Sequence, residues 1–228
     1  MDESSYGVGP GSITPDGCAV EVYRQLPPGR EPEIIDRAIP AGSRMLDLGC
    51  GAGRLSNALV GLGHHVVAVD ESADMLAHLI GAVPVHGRIE DLMLDELFDV
   101  VLLAGRLINN PNSERRHAFL QTCRRHVKPT GQVVVQWWPP EWFDTLASGD
   151  RRDRDLGRLS SSLHVQAIAN GLLTAEVCYW TGDKVWMQRF IARRLTDQGL
   201  VEELRSAGLD LQHWLDPERR WLNALPLT

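Results

Sequence analysis

The chain has 228 residues, of which 43% are hydrophobic and 23% charged, and its formal net charge is −7. Its longest apolar runs are far shorter than the ~20 residues of a membrane-spanning helix. An acidic chain with only two lysines is also a poor ligand for nucleic-acid phosphates. The first 17 residues lack the basic start and apolar stretch of a signal peptide. We therefore expect a cytoplasmic protein that binds neither nucleic acid nor membrane.

The first half of the chain predicts strands that alternate with helices. Residues 1–16 are rich in Gly, Ser and Pro, and we expect them to be disordered. Strands separated by helices pair in parallel through right-handed crossovers, so residues 17–138 predict a doubly wound, Rossmann-like α/β core that binds a cofactor. The predicted helices are 18–26, 32–39, 55–62, 72–79 and 114–127, and the predicted strands are 45–48, 66–69, 83–85, 98–103 and 132–137.

After residue 138 the pattern favours antiparallel strands. Asn170-Gly171 and Gly182-Asp183 are two-residue hairpin signals between runs of strand-forming residues. The register of the second hairpin places Glu176 opposite Arg189, an oppositely charged pair. We predict an insertion over residues 139–195 that covers the substrate and holds a three-stranded meander with strands at 163–169, 172–181 and 184–193.

The last stretch, residues 196–228, predicts a helix followed by two short strands. The helix spans 197–207 and ends at Gly208, and the strands lie near 210–215 and 220–226. These strands would complete the core sheet. The predicted fold class is α/β, a mostly parallel seven-stranded sheet with an inserted antiparallel meander.

A glycine-rich loop joins the first core strand to its helix. The run from Asp47 to Arg54 reads Asp-Leu-Gly-Cys-Gly-Ala-Gly-Arg. Its glycines allow a tight turn and close approach of a ligand, and Asp70 ends the next strand, where it can bind both hydroxyls of a ribose. A dinucleotide fingerprint would need glycine at position 54, and the carboxylate of Asp47 would repel a diphosphate. The loop therefore indicates a nucleoside-bearing ligand other than a nicotinamide or flavin dinucleotide.

The stretch from Met45 to Leu76 resembles class I S-adenosylmethionine-dependent methyltransferases, most of all the small-molecule members abundant in actinobacteria. The resemblance is carried by the glycine loop, by Val-Ala-Val-Asp70 and by Met75-Leu76. It implies S-adenosylmethionine as cofactor and S-adenosylhomocysteine as product. It also implies that the loop passes under the methionine and ribose, that Asp47 holds the ammonium end, and that Asp70 binds the ribose.

The adenine end is less regular, because Arg88 stands where the family usually has an acid. Either Asp91 takes over that contact, or the backbone of Ile89 makes it. Alternatively, Glu90 and Asp91 only cap a short helix. The resemblance implies these cofactor-binding residues: Asp47, Gly49, Cys50, Gly51, Gly53, Asp70, Glu71 or Met75 over adenine, Ile89, Glu90, Asp91, Ala104 and Gly105.

Five of the seven tryptophans fall between positions 137 and 186, which suggests an aromatic pocket wall or a plain covering core. A continuous meander register places His164, Gln166, Val177, Tyr179, Trp186, Gln188 and Phe190 on one face, which we expect to roof the substrate site. His164 is the preferred general base, with a solvated strand histidine as the alternative. The catalytic candidates are His164, Asn109 and Tyr179, and the substrate candidates are Tyr23, Arg106, Trp138, Gln166, Trp186 and Gln188.

The sequence predicts methyl transfer to an O, N or C nucleophile of a small hydrophobic or aromatic metabolite. The alternative is a cofactor-binding protein of the same fold that catalyses a non-methylating rearrangement or cyclisation. The expected partner is a small molecule, and an oligomer is possible but not predicted. No metal site is predicted, because the acids between 150 and 155 alternate with competing arginines.

Overall fold

The computed structural model describes residues 5–227. The strands are β1 (Tyr6–Val8), β2 (Arg44–Leu48), β3 (His65–Asp70), β4 (Val83–His86), β5 (Phe98–Leu103), β6 (Val127–Gln136), β7 (Arg151–Asp155), β8 (Ser160–Ala169), β9 (Leu172–Thr181), β10 (Lys184–Arg193), β11 (Leu209–Trp214) and β12 (Trp221–Pro226). The helices are α1 (Val20–Tyr23), α2 (Glu31–Ala38), α3 (Ser56–Gly61), α4 (Ala73–Leu76), α5 (Ser113–His126), α6 (Pro140–Asp144) and α7 (Asp197–Ser206), with a 3-10 turn at Leu107–Asn109.

Seven strands form the main sheet in the order β11-β12-β6-β5-β2-β3-β4. The pairs from β6 to β4 are parallel, whereas β12 and β11 are antiparallel to their neighbours. Strands β2, β3 and β5 are nearly continuous apolar runs because side chains from alternate positions enter separate cores on the two faces of the sheet. The predicted fold class is confirmed.

The parallel strands end at one edge of this sheet, where open α/β sheets bind ligands. The glycine loop follows β2 there, Asp70 ends β3, and Ala104 and Gly105 follow β5. The crossover from α5 is shorter than predicted, since β6 begins at Val127, directly after the helix. The site residues from three segments, which follow β2, β3 and β5, therefore meet at one edge.

A second, antiparallel sheet has the order β1-β10-β9-β8-β7. The three meander strands are present, and Glu176 lies opposite Arg189 as predicted. The sheet has two more strands than the meander, because β7 and β1 add to its edges. The expectation that residues 1–16 are disordered is wrong for Tyr6–Val8, which pair with the open edge of β10; residues 1–4 lie outside the described part of the chain.

A β-bulge at Gln166 changes which residues of β8 face the core. The pairing of β8 with β9 shifts between Val165 and Ala167. Every residue of β8 before the bulge therefore points to the face opposite to the one that it would have in a ladder without the bulge. His164 lies opposite Glu176 on the outer face. The prediction that His164 shares the inner face with Tyr179 is wrong for this reason, and Gln166 is the unpaired residue of the bulge.

His126 is a fully buried histidine whose hydrogen bonds require the neutral ring. Its Nδ1 donates to the Thr122 carbonyl at 2.9 Å, and its Nε2 accepts the Leu94 N–H at 3.1 Å. Burial lowers the pKa of His126. The unfolded chain therefore binds a proton at His126 more readily than the folded chain does. The stabilisation of the fold by the neutral ring is complete above the ordinary histidine pKa of about 6.5 and is lost as the pH falls below it.

We expect the free energy of unfolding to fall less with acidification in a His126→Gln variant than in the wild-type chain. Glutamine does not titrate, so the proton uptake on unfolding that His126 causes is removed. Urea denaturation at about pH 7.5 and about pH 5.5 measures the two slopes. Equal slopes for both proteins would show that His126 does not contribute to the pH dependence.

Candidate cofactor and methyl-acceptor site

The glycine loop is held in a left-handed backbone conformation by Asp70. Gly49, Gly51 and Gly53 have φ of 72°, 55° and 83°, a region that disfavours residues with side chains. Asp70 Oδ2 accepts the Gly51 N–H at 2.8 Å, and Oδ1 accepts the Ser72 N–H at 2.9 Å. Each carboxylate oxygen can accept a further hydrogen bond, so the same group can fix the loop and bind a hydroxylated ligand.

Side chains stand close to the loop, tightly at Gly49 and at ordinary contact distance at Gly51. A Cβ at Gly49 would lie 2.9 Å from Leu107 Cδ1 and 3.4 Å from Ile89 Cδ1, and one at Gly51 would lie 3.7 Å from Tyr23 Cδ1. Bare backbone at these positions therefore keeps the loop accessible to a ligand between these residues.

Four carboxylates, here called the acidic cluster, surround the loop: Asp16, Asp47, Asp70 and Glu71. Asp47 is buried and accepts the Ser56 hydroxyl hydrogen at 2.5 Å, and burial, with a smaller effect from Asp70, raises its pKa to about 6. Burial also raises the pKa of Asp70 and Glu71, and the charge of Asp16 adds to both shifts. A ligand carrying positive charge would relieve this repulsion. The negatively charged carboxylates of the acidic cluster therefore fit the sulfonium and ammonium groups of S-adenosylmethionine.

The other predicted cofactor residues divide into two groups. Ile89, Ala104 and Gly105 lie at the sheet edge, and the Gly105 N–H donates to Gln136 Oε1 at 2.9 Å. Cys50 packs in the core beside the loop, and burial raises the pKa of its thiol. Met75 is only 2% exposed and is enclosed by Cys18, Val20 and Ala52, so the prediction that it covers adenine is wrong. Glu71 is exposed, so it remains the candidate for the contact with adenine.

Glu90 and Asp91 are engaged in ion pairs. Glu90 Oε1 lies 2.9 Å from Arg115 Nε and 3.2 Å from Arg88 Nη2, and Asp91 Oδ2 lies 3.7 Å from Arg88 Nη1. A hydrogen bond from its own backbone N–H, together with these arginines, lowers the pKa of Glu90 despite its partial burial. The pairs favour the interpretation in which both acids are structural, and they leave Ile89 as the residue of this stretch that approaches the loop.

The N-terminal segment brings a hydrogen-bonded chain to the loop. The Tyr23 hydroxyl donates to Gln188 Oε1 at 3.3 Å, Gln188 Nε2 donates to Cys18 Sγ at 3.1 Å, and that thiol donates to Asp16 Oδ2 at 3.4 Å. Asp16 and Cys18 are functional candidates that the sequence analysis missed. The Pro-Asp-Gly turn at 15–17, with Gly17 at φ 90°, was the available signal for an ordered turn.

Arg106 stands at the end of β5 beneath the inner face of the second sheet. Its guanidinium lies 4.4 Å from the Trp138 ring centroid and 5.0 Å from that of Phe190. Burial raises the pKa of the Tyr23 and Tyr179 hydroxyls, and the charge of Arg106 partly opposes both shifts. Five predicted site residues thus come together beside the loop, and they are called the acceptor cluster below: Tyr23, Arg106, Trp138, Tyr179 and Gln188.

Asn109 has a structural rather than a catalytic role, and it is called a clamp below because its hydrogen bonds join two segments of the chain. It is 1% exposed; its Nδ2 donates to the Trp138 and Arg193 carbonyls at 3.3 and 3.0 Å, and its Oδ1 accepts the Trp138 N–H at 2.7 Å. These bonds occupy the amide and join the end of β6 to β10. The catalytic prediction for Asn109 is therefore wrong, and its effect on the site is to position Trp138.

Trp186, predicted to contact substrate, is enclosed by the N-terminal segment. It is 1% exposed, its Nε1 donates to the Pro10 carbonyl at 2.8 Å, and Gly9 packs against its ring. His164, also predicted for the site, lies on the outer face of β8, whereas Gln166 is the unpaired residue of the bulge. Trp186 and His164 therefore do not join the site.

Known proteins match both the loop region and the fold. Residues 45–131 match the family model described as a methyltransferase domain. An uncharacterized methyltransferase of Mycobacterium tuberculosis is 43% identical over 94 residues, 39% of each chain. A cypemycin N-terminal methyltransferase of Streptomyces is 36% identical over 118 residues, 49% of this chain and 48% of that one.

The fold similarity extends beyond the matched domain. An S-adenosylmethionine-dependent methyltransferase from Clostridium acetobutylicum superposes with a TM-score of 0.72 at 14% identity, over 90% of this chain and 92% of that one. The curated relatives are matched over half of their length or less. The resemblance of this region to methyltransferases is confirmed, and the solved structure shows that the fold is shared along most of the chain. In residues 5–227, no helix is long and apolar enough to cross a membrane.

Proposed function

We propose that this protein transfers the methyl group of S-adenosylmethionine to an O, N or C nucleophile of a small molecule, leaving S-adenosylhomocysteine. The observation that carries the proposal is the acidic cluster around a glycine loop within a methyltransferase domain. Four carboxylates lie around this loop, and burial together with neighbouring negative charge raises the pKa of Asp47, Asp70 and Glu71. Such a site is poorly suited to an anionic dinucleotide and well suited to a cationic cofactor.

The protein's own contribution would be binding and alignment. When bound, S-adenosylmethionine supplies the reactive methyl group and its leaving group. Asp70 would hold the ribose, and Asp47 the cationic amino-acid end. Holding nucleophile and methyl donor in line can lower the barrier by about 7–11 kcal/mol, so positioning by the acceptor cluster is the main requirement.

The acceptor cluster favours a small methyl acceptor with an apolar or aromatic part. Trp138 stacks on Trp142 with ring centroids 3.9 Å apart, and Phe190 lies 6.0 Å from Trp138. The raised pKa of Tyr179 keeps its hydroxyl protonated at neutral pH, so we propose that it donates a hydrogen bond to the acceptor rather than accepting a proton. The formal net charge of −7 favours a metabolite over a nucleic acid as the acceptor.

Calorimetry with S-adenosylmethionine and S-adenosylhomocysteine tests the cofactor assignment. We expect both to bind with one-to-one stoichiometry. Incubation with a panel of phenols, amines and carbon acids should then yield S-adenosylhomocysteine and a product heavier by one CH2 group. Failure of both compounds to bind would overturn the proposal, and turnover without S-adenosylhomocysteine would support the non-methylating alternative.

We expect cofactor affinity to rise as the pH increases from about 5 to about 7, because only ionised Asp47 attracts the cationic ligand. Burial places the pKa of Asp47 at about 6, so binding below that pH releases its proton. The measured enthalpy of cofactor binding should therefore vary with the ionisation enthalpy of the buffer, because the buffer takes up the released proton. In Asp47→Asn this variation should shrink; an unchanged pH profile in the variant would show that Asp47 does not titrate on binding.

A further inference from the structure

Arg106 is held in an uncommon backbone conformation at a fixed place. It has φ of 71°, directly after Gly105 at φ 68°, and residues with side chains seldom adopt this region. The chain is anchored on both sides, by the hydrogen bond of the Gly105 N–H to Gln136 and by the three hydrogen bonds of Asn109. Such a conformation persists only where its surroundings hold it, and it occurs often at ligand sites.

The guanidinium of Arg106 has aromatic neighbours but no carboxylate. Arginines elsewhere in the chain pair with acids, as Arg116 does with Glu203 and Arg194 with Asp144. Within residues 5–227, Arg106 has neither an ion pair nor a hydrogen-bond acceptor in the protein, and Trp138 and Phe190 cover it instead. Rings of this kind hold the plane of a guanidinium and leave its N–H groups at the edge free to bind a planar anion.

We propose, resting on the methyl-transfer function above, that Arg106 binds a carboxylate of the methyl acceptor, which is therefore a small organic acid with an apolar or aromatic body. The positive charges of the cofactor have their partners in the acidic cluster at the loop. Arg106 instead lies against Trp138, which follows β6, and against Phe190 of β10. The negative acidic cluster would thus bind the cofactor, and the positive Arg106 would bind the acceptor.

The aromatic neighbours of Arg106 fix the kind of acid. Trp138 and Phe190 both lie against the guanidinium, and Trp138 also packs against Trp142 and Phe143. An acid whose apolar part lies on these rings and whose carboxylate meets the edge of the guanidinium would use both features. A planar guanidinium pairs with two carboxylate oxygens at once, which an amide of the same shape cannot do.

Phenylacetate and phenylacetamide are matched probes for this proposal. They are titrated by calorimetry into the full-length protein saturated with S-adenosylhomocysteine. We expect the acid to bind at least about tenfold more tightly than the amide. In Arg106→Leu this preference should disappear, and Arg106→Lys should restore part of it because lysine keeps the charge but not the paired geometry. Lys184→Leu, which removes the same charge from an exposed hairpin, is the control and should leave the preference intact.

The affinity of Arg106→Leu for S-adenosylmethionine separates the two sources of a carboxylate. An unchanged cofactor affinity, with loss of acid preference, supports the proposal. A fall in cofactor affinity without any acid preference in the wild-type protein would assign Arg106 to the carboxylate of the cofactor and overturn it. Equal or absent binding of the two probes would also overturn it. If the wild-type protein bound no cofactor, the methyl-transfer function itself would fail.

Discussion

Replacing Asp70 with asparagine is expected to weaken S-adenosylmethionine binding by about 100-fold. Its two oxygens already accept the Gly51 and Ser72 N–H groups, and their remaining lone pairs are available to ribose hydroxyls. Asparagine has one acceptor oxygen, and its NH2 group would oppose one of the backbone N–H groups. Hydrogen bonds to charged groups contribute about 1.5–3 kcal/mol each, so loss of the equivalent of one strong bond of this kind gives about this factor.

Asp74→Asn is the matched control for this prediction. Asp74 lies in the first turn of the neighbouring helix α4 and is exposed, so its replacement removes the same charge without touching the loop. Calorimetry should give a cofactor affinity within about threefold of the wild-type value for this variant. Similar losses in both variants would mean that Asp70 acts only through net charge.

The core sheet was predictable because its signals are local. Strands β2, β3 and β5 are short apolar runs, and the glycine loop and Asp70 mark the carboxyl ends of two of them. The helix start at Ser72 was also predictable, since its hydroxyl accepts the Met75 N–H as an N-cap. Such signals need no knowledge of the rest of the chain, and they also fix where the cofactor site lies.

The second sheet, which covers the site, was less predictable because the facing of the residues of β8 depends on one extra residue. Asn170-Gly171 gives the turn of the β8–β9 hairpin, and Asn170 has the positive φ of 52° that this turn needs. The bulge at Gln166, however, reverses the facing of all earlier residues of β8, and nothing in the local pattern marks it. The error in placing His164 follows from this single shift, whereas β9 and β10 kept their predicted facing.

The N-terminal segment shows the limit of composition as evidence. Its Gly, Ser and Pro content suggests disorder, but Gly7 and Gly17 permit the close contact of two backbones that places β1 beside β10. The edge of β10 supplies the missing hydrogen-bond partners. A segment of this kind becomes ordered only through a distant part of the chain, so Asp16 and Cys18 could not be assigned to the site from their own sequence.

Asn109→Ala is expected to lower the free energy of unfolding by about 3 kcal/mol. The substitution removes three hydrogen bonds and leaves the Trp138 N–H and the Trp138 and Arg193 carbonyls without their partner. An unsatisfied buried polar group costs about 1–3 kcal/mol, and some of these groups will regain water. Urea denaturation measures the loss, and the melting temperature should fall by about 6–12 °C. Gln121→Ala, on the exposed side of α5, should change neither quantity appreciably.

The same Asn109 variant separates a clamp from a catalytic group. A clamp predicts that folded protein still binds S-adenosylhomocysteine with near wild-type affinity, since the loop and Asp70 are untouched, while stability falls. It also predicts a weaker preference for phenylacetate, because Trp138 and the chain that carries Arg106 are no longer joined to β10. A variant with wild-type stability and abolished turnover would reverse this assignment and return Asn109 to the reacting atoms.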